Sequence, residues 1–237
     1  MLKNTVLKSS TIIRSLALLT VMLACQDEKI IENDRGDIVG FVNLLDANGL
    51  KIQNAADVKV SLDEEHSVMT NSSGRYEFKN VKAGTYHPVF EKEGFGTMKR
   101  FNFLFAAGNV PGVLDLTNII KLPSTKLLTK NVEVNGSQLL VTGTLEQTDS
   151  YYLLFSFYDK ADGKPGDEIA ASYSSSCCAP TQDFQSYLYM PQNATLYLAI
   201  YAVSPGNQNS QYSYYDYERS VWVNTALKEL VAPFKVR

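Results

Sequence analysis

The sequence is short of the residues that do chemistry, with two histidines, three cysteines and one tryptophan in 237 residues. A zinc site needs about three or four closely spaced His, Cys or carboxylate ligands, and His66 and His87 stand alone. The run Ser174-Ser175-Ser176 has no His and Asp arranged beside it and no G-x-S-x-G is present, which argues against a serine hydrolase. Glycine (14) and proline (8) are too sparse for a collagen-like or low-complexity chain, and only 20% of residues are charged. What remains is a globular composition, 45% apolar and 11% aromatic, long enough for one large domain or two small ones. No catalytic residue, metal or cofactor is expected, and the chain reads as a non-enzyme.

The first 24 residues contain no acid. They carry Lys3, Lys8 and Arg14, and then an apolar run over residues 16–24 that is too short for a permanent membrane span but suits a secretory signal. Leu23-Ala24-Cys25 resembles the lipobox of bacterial lipoproteins, with Met22 where a leucine is usual. The resemblance implies removal of residues 1–24, lipidation of Cys25, and anchoring in outer-membrane lipid. Gln26-Asp27-Glu28-Lys29 looks like the acidic export tag of surface lipoproteins in Bacteroidota, implying an outer-membrane, cell-surface location. Residues 25–36 read as a polar tether. Loss of the three leader cations takes the net charge from −3 to −6, an acidic balance that argues against DNA, RNA and anionic lipid as partners.

From residue 37 to 122, short runs alternate apolar and polar positions between Gly and Asn punctuation, as in Val58-Lys59-Val60-Ser61-Leu62, and predict an antiparallel β-sandwich. Pro88 falls inside one run and, lacking a donor, belongs at an edge or bulge. Gly40, Asn48, Gly49, Ala55, Val58, Val60, Thr70, Gly74, Tyr76, Phe78, Val81, Gly84, Tyr86, Phe90, Lys92, Gly94 and Phe95 carry a resemblance to the carboxypeptidase regulatory-like domain. That resemblance implies a seven-stranded transthyretin-like sandwich without catalytic residues of its own. The proline usual after the first hairpin is missing near Lys51 and Ile52.

Polar residues 123–131 read as a linker, and the composition then shifts. Twelve of the 14 tyrosines lie between Tyr151 and Tyr217, and about six alternating runs in residues 132–237 predict a second β-sandwich. Residues 196–203 resemble the sixth strand of a fibronectin type III or immunoglobulin-like domain, although the tryptophan usual in the second strand is absent and Trp222 comes late. The expected fold class is therefore all-β, with two sandwiches after a lipoprotein signal peptide.

Several features could carry chemistry. Residues 159–168 supply the oxygen ligands of a calcium loop without EF-hand spacing, and Asp162-Gly163 followed by Lys164-Pro165-Gly166 is more simply a hairpin turn. His66, after Asp63-Glu64-Glu65, reads as part of a solvated turn. Cys177 and Cys178 are adjacent; a vicinal disulfide, two free thiols, or bonding to another molecule are all open. Arg35-Gly36-Asp37 spells an integrin tripeptide by chance. The best candidate binding surface is Tyr212, Tyr214, Tyr215 and Tyr217 beside Asn207 and Asn209, because sugars present apolar ring faces edged by hydroxyls and call for flat aromatics near amides. On a strand, Tyr212 and Tyr214 would face one way and Tyr215 and Tyr217 the other, so one pair can be core. The sequence thus points to a non-catalytic binding or accessory module for glycan or an outer-membrane protein partner. The alternative is a structural or adhesive subunit of a pilus-like assembly, since lipoprotein pilins resemble the chain in having a lipobox and two such sandwiches, with Arg35 as the protease site.

Overall fold

Segments that are apolar at every second position become strands in a computed structural model of the chain, which describes residues 34–146, 151–174, 183–191, 195–205 and 212–237. Cys25, Cys177, Cys178, Asn207 and Asn209 lie outside the described residues, as does the leader. The N-terminal half holds β1 (Arg35–Leu45), β2 (Lys59–Ser61), β3 (Ser67–Met69), β4 (Arg75–Lys82), β5 (Gly84–Tyr86), β6 (Val89–Glu91), β7 (Met98–Lys99), β8 (Phe103–Phe105), β9 (Gly112–Val113) and β10 (Thr117–Ile120). One sheet runs β10-β1-β4, the other β3-β2-β6-β7, and β5 pairs with β8. Ile38, Val42 and Leu44 of β1 point inward at period two and meet Val60 and Phe90 of the opposite sheet, and Val58 just before β2, in one buried cluster. Gly74 makes the turn into β4 possible: it sits at φ +82°, and a Cβ there would lie 2.1 Å from the carbonyl oxygen of Val42.

Three expectations are corrected here. The sandwich is not purely antiparallel, because β1 pairs in parallel with β9 and β10; parallel neighbours need a crossover of a dozen or more residues, which the chain between β1 and β9 supplies. Pro88 lies in the break between β5 and β6, where its carbonyl accepts the N–H of Arg100 at 2.8 Å. The tether does not extend to residue 36: β1 starts at Arg35, which pairs with Lys82. Arg35 donates to the Asn80 carbonyl at 2.8 Å, while Asp37 accepts from Lys79 at 2.7 Å. Arg35-Gly36-Asp37 is thus locked into a strand, a poor setting for protease cleavage or for presentation as a loop motif.

The C-terminal half holds β11 (Lys126–Asn135), β12 (Gln138–Glu146), β13 (Tyr152–Tyr158), β14 (Ala171–Ser174), β15 (Asp183–Tyr189), β16 (Tyr197–Val203), β17 (Ser213–Asp216), β18 (Val221–Asn224) and β19 (Leu227–Lys235). A sheet β11-β12-β15 packs on a sheet β14-β13-β16-β19, burying Leu139, Val141, Phe155, Phe157, Leu198 and Ile200 between them. The predicted linker is largely strand, since β11 takes residues 126–131. Its polarity reflects an edge strand exposed along most of its length, where only Leu127 and Val132 turn partly inward.

The two halves are not independent. Asp34–Arg237 form one compact unit. Leu45 and Ile120 from the first half share a small buried cluster with Tyr212 and Ala226 from the second, and Ser204 donates its hydroxyl to the Lys121 carbonyl at 2.7 Å. The β17–β18 hairpin leaves the second sandwich and leans on the first, with Tyr214 packed against the first core.

Candidate functional site

The site is built on that hairpin. Tyr214 pairs across it with Val223, and Tyr215 with Trp222. Its turn is held by Asp216, which is 5% exposed and accepts the N–H groups of Glu218 and Arg219 at 3.1 and 3.2 Å, as short side-chain acceptors do in turns. Strand alternation then separates the tyrosines. Tyr212 is buried in the shared cluster, which removes it from the binding set. Tyr214 is half-buried on the first core, and burial pushes its phenol pKa up, with the Asp216 charge adding to the shift against Arg219. Tyr215 stands edge-on between Tyr217 and Trp222, with ring centroids 5.0 and 5.5 Å away. Tyr217 and Trp222 are 60% and 68% exposed.

Opposite these rings the N-terminal half contributes residues 98–101 and Asn118. Between them lies a cleft of about 390 Å³. Phe101 reaches across the boundary, 6.0 Å from the Tyr214 ring and 5.5 Å from Tyr217. The next residue, Asn102, turns at φ 58° and donates its N–H to Nδ1 of His87 at 3.2 Å, while the His87 ring lies 5.4 Å from Phe101. Asn118 uses its carbonyl oxygen to accept from Asn43 at 3.1 Å, which leaves its amide N–H groups as donors. Aromatic faces beside amide and hydroxyl groups can hold a sugar ring; among the described residues that line the cleft, no nucleophile is paired with a general base.

No protein-family model and no curated protein matches this chain. Among solved structures, a type II cohesin–X-dockerin complex from Acetivibrio cellulolyticus is 22% identical at TM-score 0.29, covering 35% of this chain; the match spans 56% of that chain's length. A DUF3823 family protein from Parabacteroides merdae is 11% identical at TM-score 0.33, over 83% of this chain and 98% of the other. A candidate carbohydrate-binding protein from Bacteroides uniformis is 17% identical at TM-score 0.29, over 82% and 100%. Scores this low carry no functional weight.

Sequence reasoning missed Trp222, Phe101, Lys99, Arg100 and Asn118. Trp222 carried a signal as the single tryptophan opposite a tyrosine-rich run, but its partner is fixed by the register of the hairpin. Elsewhere, the polar trough of about 500 Å³ between Thr129, Thr144, Asp183 and Gln185 is weaker as a site, because several of its polar groups are already hydrogen-bonded within the protein. Thr144 donates to Asp183 at 2.8 Å, and Gln185 to the Tyr187 hydroxyl at 2.6 Å. His66 sits in the turn between β2 and β3, its Nδ1 2.8 Å from Asp63. Among the described residues no three His, Cys, Asp or Glu side chains come together as a metal cluster.

Residues 159–168 form the loop between β13 and β14, and one of its four acids, Asp167, is committed to cations. Asp167 accepts the Lys164 N–H at 2.9 Å and pairs with Lys160 at 2.9 Å and with Arg219 of the hairpin turn. Partial burial works to raise its pKa, but the hydrogen bonds from Lys160, Lys164 and Arg219 outweigh it and hold it at about 2, below the ordinary 3.8. A depressed carboxylate stabilises the fold above its unfolded pKa, and that contribution fades as pH falls through the folded value. Thermal melts of Asp167→Asn should therefore fall below wild type at pH 5 to 7, with the gap closing between about pH 4 and 2. A gap that stays constant down to pH 2 would remove the carboxylate from this role.

Proposed function

We propose that the chain is a non-catalytic protein of the bacterial outer-membrane surface, anchored through a lipid on Cys25, that binds carbohydrate in the aromatic cleft. In this reading the N-terminal half is a carboxypeptidase regulatory-like sandwich and the C-terminal half an immunoglobulin-like one, and together they hold the hairpin in place. The observation that carries it is the exposure of Tyr217 and Trp222 beside Tyr215 on the wall of a concavity edged by Asn118 and Ser213. Large rings left in water together, in fixed edge-to-face packing, forgo burial that would have stabilised the fold, and contiguous exposed apolar surface marks interaction sites. A rigid aromatic wall also loses little conformational freedom when a ring stacks on it.

Because Trp222 is the single tryptophan, its fluorescence reports directly on the cleft. Oligosaccharides selected on a glycan array should shift or quench it saturably. Tyr217→Ala, judged by calorimetry, should weaken that binding by about threefold to tenfold, as expected for a stacked ring worth about 0.5 to 1.5 kcal/mol. Stability should change by no more than about 0.5 kcal/mol. If no carbohydrate perturbs Trp222, the reading falls. The anchor is checked separately, since Cys25→Ser should leave unprocessed precursor or release the protein from membrane fractions; unchanged processing and retention would exclude it.

A further inference from the structure

The cleft has one feature that a neutral sugar does not call for. Lys99 and Arg100 both line it, and among the described residues no Asp or Glu does. Among the described residues, neither cation has a carboxylate within salt-bridge distance, although the chain elsewhere pairs Arg75 with Glu77 at 3.0 Å and Lys160 with Asp167 at 2.9 Å. Arg100 is fixed on one side, where a guanidinium N–H donates to the Leu116 carbonyl at 3.2 Å. A guanidinium presents five donors in a planar fork, so the rest of its edge remains for a planar or tetrahedral oxyanion. Asn118, its own oxygen already accepting from Asn43, adds a neutral donor beside the two charges. On the facing side stand the rings of Tyr215, Tyr217 and Trp222.

From this juxtaposition we infer that the cleft selects anionic carbohydrate: a sugar ring stacked on the hairpin aromatics, with its carboxylate or sulfate held by Arg100 and Lys99. The inference rests on the carbohydrate reading above and narrows it. The acidic balance of the whole chain does not oppose it, because charges beyond about 8 to 10 Å are largely screened at physiological salt; Lys99 and Arg100 line the cleft itself, and the Asp216 charge that reaches Tyr214 is opposed by Arg219. Charge-assisted hydrogen bonds to a partly desolvated anion are about twice as strong as neutral ones, so the pair supplies selectivity as well as affinity.

The test is calorimetric titration of the full-length protein with a fixed panel: xylo-oligosaccharides and galacto-oligosaccharides as neutral members, oligogalacturonate and oligomannuronate as carboxylate members, and chondroitin sulfate oligosaccharides as the sulfated member. The tightest ligand should be anionic, and the carboxylate and sulfate arms identify which group is held. Its affinity should fall about tenfold in Arg100→Gln, a single charged hydrogen-bond partner lost. It should also fall steeply from about 50 to 500 mM salt. In Lys99→Gln/Arg100→Gln, the preference for the anionic over the neutral members should be lost. A neutral ligand that binds tightest and depends on Tyr217 would overturn this inference while leaving the carbohydrate reading intact, as would an anionic ligand indifferent to Arg100→Gln. Failure of every member to bind would end both.

Discussion

Tyr212→Ala should be among the most damaging single substitutions in the chain, costing about 3 to 5 kcal/mol of stability, the usual penalty for deleting a large buried aromatic. Tyr212 is 3% exposed, and its ring fills the small cluster that Leu45 and Ile120 share with Ala226. Its carbonyl is also committed, accepting the Thr225 hydroxyl and the Thr225 N–H, each at 2.7 Å. Truncation therefore leaves a cavity at the junction of the two halves rather than inside either. Urea denaturation should show a lowered midpoint and, because the junction couples the halves, a transition that broadens or splits. A variant within about 1 kcal/mol of wild type with one sharp transition would show that the halves are coupled elsewhere.

Gly96→Ala should have the next largest effect, through crowding instead of a void. A Cβ on Gly96 would sit 1.9 Å from the carbonyl oxygen of Thr225 and 2.8 Å from its carbonyl carbon. Both obstacles are backbone, and neither can rotate away. Thr225 is held by Tyr212 on the hairpin side, while Gly96 donates its N–H to the Ile120 carbonyl at 2.9 Å. The only relief is separation of the hairpin from the first sandwich, at a cost of about 1 to 3 kcal/mol or more. Since the cleft lies between the hairpin and residues 98–101 of the first sandwich, Gly96→Ala should lose ligand-induced quenching of Trp222 along with thermal stability. Retained stability with a native quench would mean that the interface adjusts without opening the cleft.

The alternation of apolar residues by itself determined that this is an all-β protein with two buried cores. Segments such as residues 58–62 and 139–145 have one face fit for burial and one for water, which only a pleated sheet reconciles. Turn chemistry was legible too, as in Gly74, whose positive φ no β-branched residue would adopt cheaply. Less legible were β11, whose exposed edge leaves it as polar as a linker, and β19, where Pro233 and two register shifts against β16 interrupt the pattern. Strand periodicity also foretold that the tyrosines would divide between two faces, but not which face was core. That depended on where the hairpin docks. Phe101, Asn118 and Trp222 reach one cleft from segments with no local relation to one another, because burying Tyr212 and Tyr214 against the first sandwich brings the hairpin down beside residues 98–101. Local sequence sets the period of each strand; packing between distant segments sets which rings remain in water and which charges face them.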